Sequence, residues 1–305
     1  MNFPIIKKTN RLERAFLLAV IIVLGLIITS AITMAYTLIA NPENIRSLNS
    51  LRFLQIISQI FTFVLPPVIY AMLVKKEPCK SLGMRRTSLL WLLLGIAMMY
   101  AIIPLNSVIT EWNANIKLPE SLSALEELMR TLQDEATKVM EKFVNVDTVG
   151  GLIINLIMIA GLAAVGEELL FRSVIQNSLI KLCKNAHIGI IIASAIFSIF
   201  HMEFYGLLPR FVLGMILGYM YYYSRSIWVS MAMHFANNGT IVVLYYLNAI
   251  GAINIDVESF GETNTFILIA STLIFIALFF FSIRQYKKEQ AEIKEANDEE
   301  SLTEN

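Results

Sequence analysis

Long apolar runs, separated by short polar segments, dominate the pattern of this chain. Eight of these runs are near or above the ~20 residues that a membrane-spanning helix needs. The pattern therefore predicts an all-α, polytopic integral membrane protein with about eight transmembrane helices. We expect these helices at about 15–40, 52–74, 87–110, 150 onward, 187–204, 207–223, 227–247 and 265–283.

The segment 111–148 has a different pattern, because its apolar residues recur every three or four positions from Leu118 to Phe143. Charged residues occupy the other faces, which is typical of an amphipathic helix outside the membrane. Two interpretations stay open. The segment is a surface helix packed on the outer ends of the spans, or it covers the site and gates the entry of substrate.

These patterns divide the chain into five regions. No internal repeat and no second, soluble domain is visible in the sequence. The charged tail from Arg284 is expected to be a frayed helix or disordered. The regions are an N-terminal three-helix membrane region at 1–110, the amphipathic segment at 111–148, a membrane core with the candidate chemistry at 149–248, a loop and last transmembrane helix at 249–285, and the charged tail at 286–305.

Composition supports the membrane class. The chain is 56% hydrophobic and 16% charged, whereas about 25% of the residues of a soluble domain are charged. The net charge is zero, so nothing indicates a nucleic-acid partner. The first apolar run is too long for the core of a signal peptide, and we interpret it as a retained anchor.

Lysine and arginine alternate between the two sides of the predicted bundle. The loops 41–51 and 248–264 are poor in both residues, whereas the intervening loops are basic. By the positive-inside rule, both termini are expected in the cytoplasm. Cys79 and Cys183 fall in basic loops, which the same rule places in the cytoplasm. Thiols stay reduced there, so no disulfide is expected. The basic segments are the N-terminus with Lys7, Lys8, Arg11 and Arg14, the loop 75–86, the turn 181–184, Arg225 and the tail.

Two adjacent carboxylates, Glu167 and Glu168, lie inside the apolar run that begins near Gly151. Ionisable groups at bilayer depth are costly and usually mark a functional site. Adjacent helical residues point about 100° apart, so the two cannot face one target. Glu168 and Arg172 are four residues apart and can form an ion pair. Glu167 is then free to face a cavity.

Two later spans offer partners for Glu167. Phe197 and His201 share one helix face, and His234 and Asn238 share another. Glu167 and His201 each lie fifteen residues from the turn between their helices, about 22 Å in, so they meet at one level. His234 lies only about 12 Å past Ser226, so its helix must tilt or begin deeper to reach them.

These residue types indicate the hydrolysis of an amide bond. A carboxylate in a low-dielectric cavity can act as a general base towards water. A second histidine and an amide can donate to an oxyanion. Glu167, His201 and His234 would also be an acceptable set of zinc ligands. No further carboxylate or histidine is evident in the sequence to orient the imidazoles, which favours a metal-free site.

Three ordered motifs resemble those of the CPBP intramembrane proteases, which include the CAAX-processing endopeptidases and bacterial bacteriocin-processing or self-immunity proteins. The resemblance covers about residues 150–240. It implies an eight-span helical fold, a peptidase activity and a bacterial plasma membrane location. The motifs are Glu167-Glu168-x-x-x-Arg172, Phe197-x-x-x-His201 and His234-x-x-x-Asn238.

The resemblance also implies a role for each residue. Glu167 would be the base, His201 would position or deprotonate the water, and His234 and Asn238 would form the oxyanion hole. The other motif residues would be supporting. The family is often classed as metalloproteases, so the cofactor is either none or one divalent metal such as zinc. The partners would be a membrane-associated protein or peptide substrate and the lipid bilayer.

Two other functions stay open. One is a catalytically silent membrane binder, such as a bacteriocin immunity factor. The other is a proton-coupled carrier, for which internal repeats and broken helices near the midplane would be expected.

Overall fold

The computed structural model describes residues 4–6, 10–40, 42–45, 47–257 and 259–303. Lys7 and Lys8, which contribute to the predicted basic N-terminus, lie outside the described residues. All regular structure within those ranges is helical. The predicted all-α membrane fold is therefore confirmed.

The principal helices follow the predicted order. They are α1 Arg11–Ile39, α2 Leu48–Val74, α3 Leu89–Ala114, α4 Ser123–Val144, α5 Val149–Cys183, α6 Ala186–Phe200, α7 Leu207–Ser224, α8 Ile227–Ala249 and α9 Thr265–Thr303. Short helical turns at Pro42–Ile45, Pro78–Ser81, Glu120–Leu122 and Phe204–Gly206 lie between them.

Within the described ranges, seven helices are long and apolar enough to cross a membrane: α1, α2, α3, α5, α7, α8 and α9. The eighth predicted span, α6, has only 15 residues and is about 22 Å long, less than the ~30 Å of a bilayer core. It ends at Phe200 rather than near residue 204. The chain reverses there through Met202, whose φ of 56° is uncommon for a residue other than glycine.

The ends of several helices are fixed by local polar residues. Asn10 forms a capping box with Glu13 at the start of α1. The side chain of Thr148 accepts a hydrogen bond from the backbone N–H of Gly151 at the start of α5, and that of Asn185 accepts one from Ile188 at the start of α6. These caps satisfy donors that would otherwise lack a partner at the helix start. They explain why these boundaries fall where the polar residues interrupt the apolar runs.

The glycines of α7 allow close helix packing, as their GxxxG spacing predicts. A Cβ atom at Gly214 would lie 3.1 Å from the Cβ of Ser194 on α6. A Cβ atom at Gly218 would lie 2.7 Å from Oε1 of Gln176 on α5. Helix α7 is therefore held against both helices that carry the first two motifs.

Three stretches have the wider π-helical winding: Gln59–Val64 in α2, and Leu156–Leu162 and Glu168–Gln176 in α5. Such insertions are rare and frequently lie at functional sites. The last stretch begins directly after Glu167. Successive side chains after Glu167 are therefore separated by a smaller rotation about the helix axis than in a regular α-helix.

Helix α9 continues through the charged tail to Thr303, so the tail is helical in the described part, which is one of the two expected forms. Two contacts account for this order. Nε1 of Trp91 donates to Oε1 of Glu289 at 2.9 Å, and Arg225 donates to Gln290 at 2.5 Å. The polar end of α9 is thereby attached to α3 and to the turn after α7.

The predicted amphipathic helix is present as α4, but most of its apolar stripe is exposed. Leu125, Leu128 and Leu132 are each about half exposed, at 46%, 54% and 52%. The expected packing of this stripe on the spans is therefore wrong for most of its length. The edge of α4 that carries Glu126 and Arg130 is attached instead, because the guanidinium of Arg130 lies 4.2 Å from the centre of the Tyr205 ring.

Candidate active site

The carboxylate of Glu167 meets two imidazoles that come from different helices. Oε2 of Glu167 lies 3.8 Å from Nε2 of His201 and 3.8 Å from Nε2 of His234. Glu167 comes from α5, His201 directly follows α6, and His234 lies in the second turn of α8. The structure therefore brings together the three side chains that the sequence selected, including His234, whose depth was the least certain.

Glu167 is buried, and its Oε2 has no hydrogen-bond partner among the described residues. Gly166 allows α2 to pack closely beside it, since a Cβ atom at Gly166 would lie 2.8 Å from the Cβ of Phe63. A buried carboxylate oxygen without a protein partner is costly unless another group satisfies it. It is available for a water molecule or a substrate.

Glu168 forms the predicted pair with Arg172, at 3.0 Å between Oε2 and Nε. Its other oxygen, Oε1, lies 3.0 Å from Nδ1 of His234. Both carboxylate oxygens are thus used inside the protein, and Glu168 is fully buried. The sequence-based expectation that no carboxylate orients the imidazoles is therefore wrong. Nδ1 of His234 donates a hydrogen bond to Glu168, so Nε2 is the ring nitrogen that faces Glu167.

His201 is oriented by its own helix. Its Nδ1 lies 2.8 Å from the backbone carbonyl oxygen of Phe197, one turn earlier. Because a carbonyl oxygen can only accept, Nδ1 carries the proton. In the neutral imidazole, Nε2 is then an acceptor that faces Glu167.

The ring of Phe197 packs against both imidazoles. Its centre lies 4.9 Å from that of His201 and 6.1 Å from that of His234, with the rings nearly perpendicular. The guanidinium carbon of Arg172 lies 4.8 Å from the centre of the same ring. Nη1 and Nη2 of Arg172 have no hydrogen-bond partner in the described part of the chain. The ring thus provides a cation–π contact for that charge.

Asn238 lies one turn after His234, as the spacing predicts. Its Nδ2 donates to the carbonyl oxygen of Ile159 at 3.3 Å, and its Oδ1 accepts from Asn237 at 3.0 Å. A side-chain amide has two N–H donors, so one donor remains. The contacts recorded for Asn238 are therefore with α5 and its own neighbour, and its role at the site stays a prediction.

Two further polar groups lie near the site. Arg210 forms an ion pair with Glu203 beside the chain reversal that follows His201. Gln59 is buried on α2 and lies next to Gly166, at 3.6 Å from the position of an added Cβ atom. Sequence reasoning missed Gln59. The sequence did contain a signal for it, because a polar amide side chain is unusual inside an apolar span such as α2.

The spacing of the three central side chains is wider than that of tetrahedral zinc ligands. Tetrahedral ligands at zinc–ligand distances of about 2.0–2.1 Å lie about 3.3 Å apart, whereas Glu167 lies 3.8 Å from each imidazole. Within the described ranges, no group of three or more His, Cys, Asp or Glu side chains already has the spacing of a metal site. A hydrogen-bonded water at about 2.8 Å from each atom fits the same gaps.

Two cavities, of about 650 and 340 Å³, lie elsewhere in the described structure. Neither is lined by Glu167, His201 or His234. The smaller one is lined by Asn237, which connects it to Asn238 through their hydrogen bond. The three central side chains thus lie outside both cavities.

Residues 149–240 match the family model of type II CAAX prenyl endopeptidases, Rce1-like. This segment contains all three motifs, so the resemblance to the CPBP family is confirmed for this part of the chain. No curated protein and no solved structure matches the chain.

Proposed function

We propose that this protein is an intramembrane endopeptidase that hydrolyses a peptide bond of a membrane-associated protein or peptide. One observation carries the proposal: the buried, unpartnered oxygen of Glu167 lies 3.8 Å from two imidazole nitrogens. Each imidazole is fixed through its other nitrogen, by Phe197 or by Glu168. The Rce1-like segment supports the same class of reaction.

In the proposed reaction, a water molecule lies between Glu167 and His201. It donates one hydrogen bond to Oε2 and one to Nε2 of His201, both of which can accept. Glu167 takes a proton while the water oxygen attacks the carbonyl carbon of the peptide. Glu167 then gives this proton to the leaving amine as the C–N bond breaks. The products are a carboxylic acid and an amine, and the carboxylate of Glu167 is regenerated.

The oxyanion of the tetrahedral intermediate needs donors. Because Nδ1 of His234 donates to Glu168, Nε2 can donate to the oxyanion only when the ring is the doubly protonated imidazolium, which the neighbouring carboxylate of Glu168 favours. Asn238 has one N–H beyond the bond to Ile159. We assign both residues to the oxyanion site because preorganised donors at that point contribute strongly to acyl transfer.

The proposed reaction uses no metal ion. Elemental analysis of the purified protein tests this directly. We expect no stoichiometric zinc and no effect of chelators on cleavage. About one zinc per chain, lost in Glu167→Gln and His201→Ala, would show that the metal-free mechanism is wrong.

The peptidase activity itself is tested by comparing the termini of membrane-bound peptides in cells that express the wild type or Glu167→Gln. We expect a defined set of new termini only with the wild type. Identical termini in both samples would contradict the proposal and favour a silent membrane binder.

A further inference from the structure

The 650 Å³ cavity lies at the basic end of the bundle, away from the cluster around Glu167. It is formed by the start of α1, the segment after α2, the end of α5 and the turn after α7. Seven cationic side chains line it, and no carboxylate among the described residues does. These cations are Arg11, Arg14, Lys75, Lys80, Arg85, Lys181 and Arg225.

The floor of this basic cavity is polar and well ordered. Tyr70 and Tyr221 are buried there. Asn177 donates to the hydroxyl of Tyr221 at 2.8 Å and to the backbone carbonyl of Ser173 at 2.9 Å. The hydroxyl of Ser173 in turn donates to the carbonyl of Leu82 at 2.6 Å. Side chains fixed in this way form a prepared surface for a polar ligand.

The cations are close enough to affect one another. Burial lowers the pKa of Lys75, and the charges of Lys181 and Arg14 lower it further. Lys80 pairs with Glu77, which lies outside the cavity lining. Several cations around one cavity create a positive electrostatic potential in it, and this potential favours the binding of an anion.

We propose that the basic cavity binds a phosphate-bearing anion. The observation behind it is the set of seven cations, without a carboxylate, around one ordered polar floor. Arginine binds phosphate in a bidentate manner, and lysine binds it as a point charge. The volume of 650 Å³ lies within the range of small-molecule sites.

The phosphate has two chemically equivalent sources, a phospholipid headgroup or a soluble phosphate compound. Apolar side chains of α1 and α5, including Leu18, Val174 and Leu179, line the cavity beside the cations. Basic pockets between transmembrane helices bind anionic headgroups in this manner. The site does not depend on the proposed peptidase reaction.

Binding is tested with full-length protein and two probes. Calorimetry in detergent measures the affinity for inorganic pyrophosphate. Native mass spectrometry measures the retention of phosphatidylglycerol against phosphatidylcholine. The chain offers matched pairs: Lys75→Gln against Lys76→Gln, and Arg85→Gln against Arg86→Gln. In each pair only the first residue lines the cavity.

We expect at least one probe to bind, and Lys75→Gln and Arg85→Gln each to weaken its binding about fivefold, the factor that corresponds to one cation near an anionic headgroup. Lys76→Gln and Arg86→Gln should stay within about twofold of the wild type. Glu167→Gln should bind as the wild type does, which separates this test from that of the peptidase.

Binding of pyrophosphate alone would identify a soluble ligand, and selective retention of phosphatidylglycerol would identify a lipid. Equal effects within each matched pair would overturn the proposal, because general surface charge would then explain binding. Absence of binding by both probes would also overturn it.

Discussion

Glu168 contacts two side chains that lie 4 and 66 residues away along the chain. The contact with Arg172 could be predicted because i,i+4 spacing places both residues on one helix face. The contact with His234 could not, because it depends on how α5 packs against α8. The same holds for Gln59, whose position beside Gly166 follows from packing rather than from spacing.

The Glu168–Arg172 pair makes a prediction at the scale of single residues. Both side chains are fully buried, so Arg172→Ala leaves the carboxylate without its counter-ion. We expect a loss of about 3–5 kcal/mol in the free energy of unfolding. Thermal unfolding in detergent and the yield of folded protein measure this loss.

Arg130→Ala is the matched control, because Arg130 forms an i,i+4 pair with Glu126 but its side chain is 44% exposed. Exposed pairs contribute about 0–1 kcal/mol, so its melting temperature should change little. An unchanged melting temperature for Arg172→Ala would show that its charge is solvated and that the buried pair does not hold the site.

At the scale of elements, the apolar runs predicted every principal helix in the correct order. The start of α6 was predictable because the polar cap Asn185 interrupts the apolar run there, whereas α1 begins at Arg11, four residues before the predicted start. The π-helical stretches and the early end of α6 were not predictable. They depend on backbone hydrogen bonds and on the reversal at Met202, for which the hydrophobic pattern carries no signal.

Helix α4 shows what a hydrophobic period leaves undetermined. The three- to four-residue spacing of apolar side chains correctly predicted an amphipathic helix. That spacing does not show whether the apolar stripe is buried against other helices or in lipid. In the structure, Glu126 accepts a hydrogen bond from the backbone N–H of Leu118, and this contact and Arg130 lower its pKa. The edge of α4 with Glu126 and Arg130 is thus attached to the protein. We infer that the stripe lies on the membrane surface.

This orientation of α4 is tested with nitroxide labels in proteoliposomes. Labels at Leu128 and Leu132 should be more accessible to oxygen, which partitions into the bilayer. Labels at Glu127 and Asp134 should be more accessible to a water-soluble nickel chelate. If all four positions respond alike, or if the two leucine positions are shielded from both reagents, α4 does not present its stripe to lipid.

At the scale of the whole molecule, the short helix α6 leaves the predicted topology unchanged. Helix α6 begins beside the basic turn 181–184, and α7 ends at Arg225. The two helices therefore leave and return to the same end of the bundle, whether or not α6 crosses completely. The lysine and arginine distribution still predicts that both termini are cytoplasmic.

Reporter fusions test this topology. Fusions at residues 130 and 255 should report the outside, and fusions at residues 80 and 295 should report the cytoplasm. The fusion at residue 130 is the most informative, since it lies in α4 between two long spans. A cytoplasmic signal there would contradict the predicted orientation.

The proposed mechanism joins these scales, because its three central side chains come from three helices that pack together. His201→Ala and His234→Ala should each remove most of the activity. Either change combined with Glu167→Gln should cause little further loss, since the residues act as one unit. Asn238→Ala should be milder and leave about 10⁻²–10⁻³ of the rate, because it is one of two proposed oxyanion donors.

The most direct test is cleavage of a membrane peptide by purified Glu167→Gln in proteoliposomes. This substitution keeps the shape of the side chain and removes the base, and Glu127→Gln on the exposed face of α4 is the matched control. We expect Glu167→Gln to fold normally and to lose at least the factor of about 10²–10⁴ that a general base contributes. The control should cleave as the wild type does. Full activity of folded Glu167→Gln would contradict the peptidase mechanism.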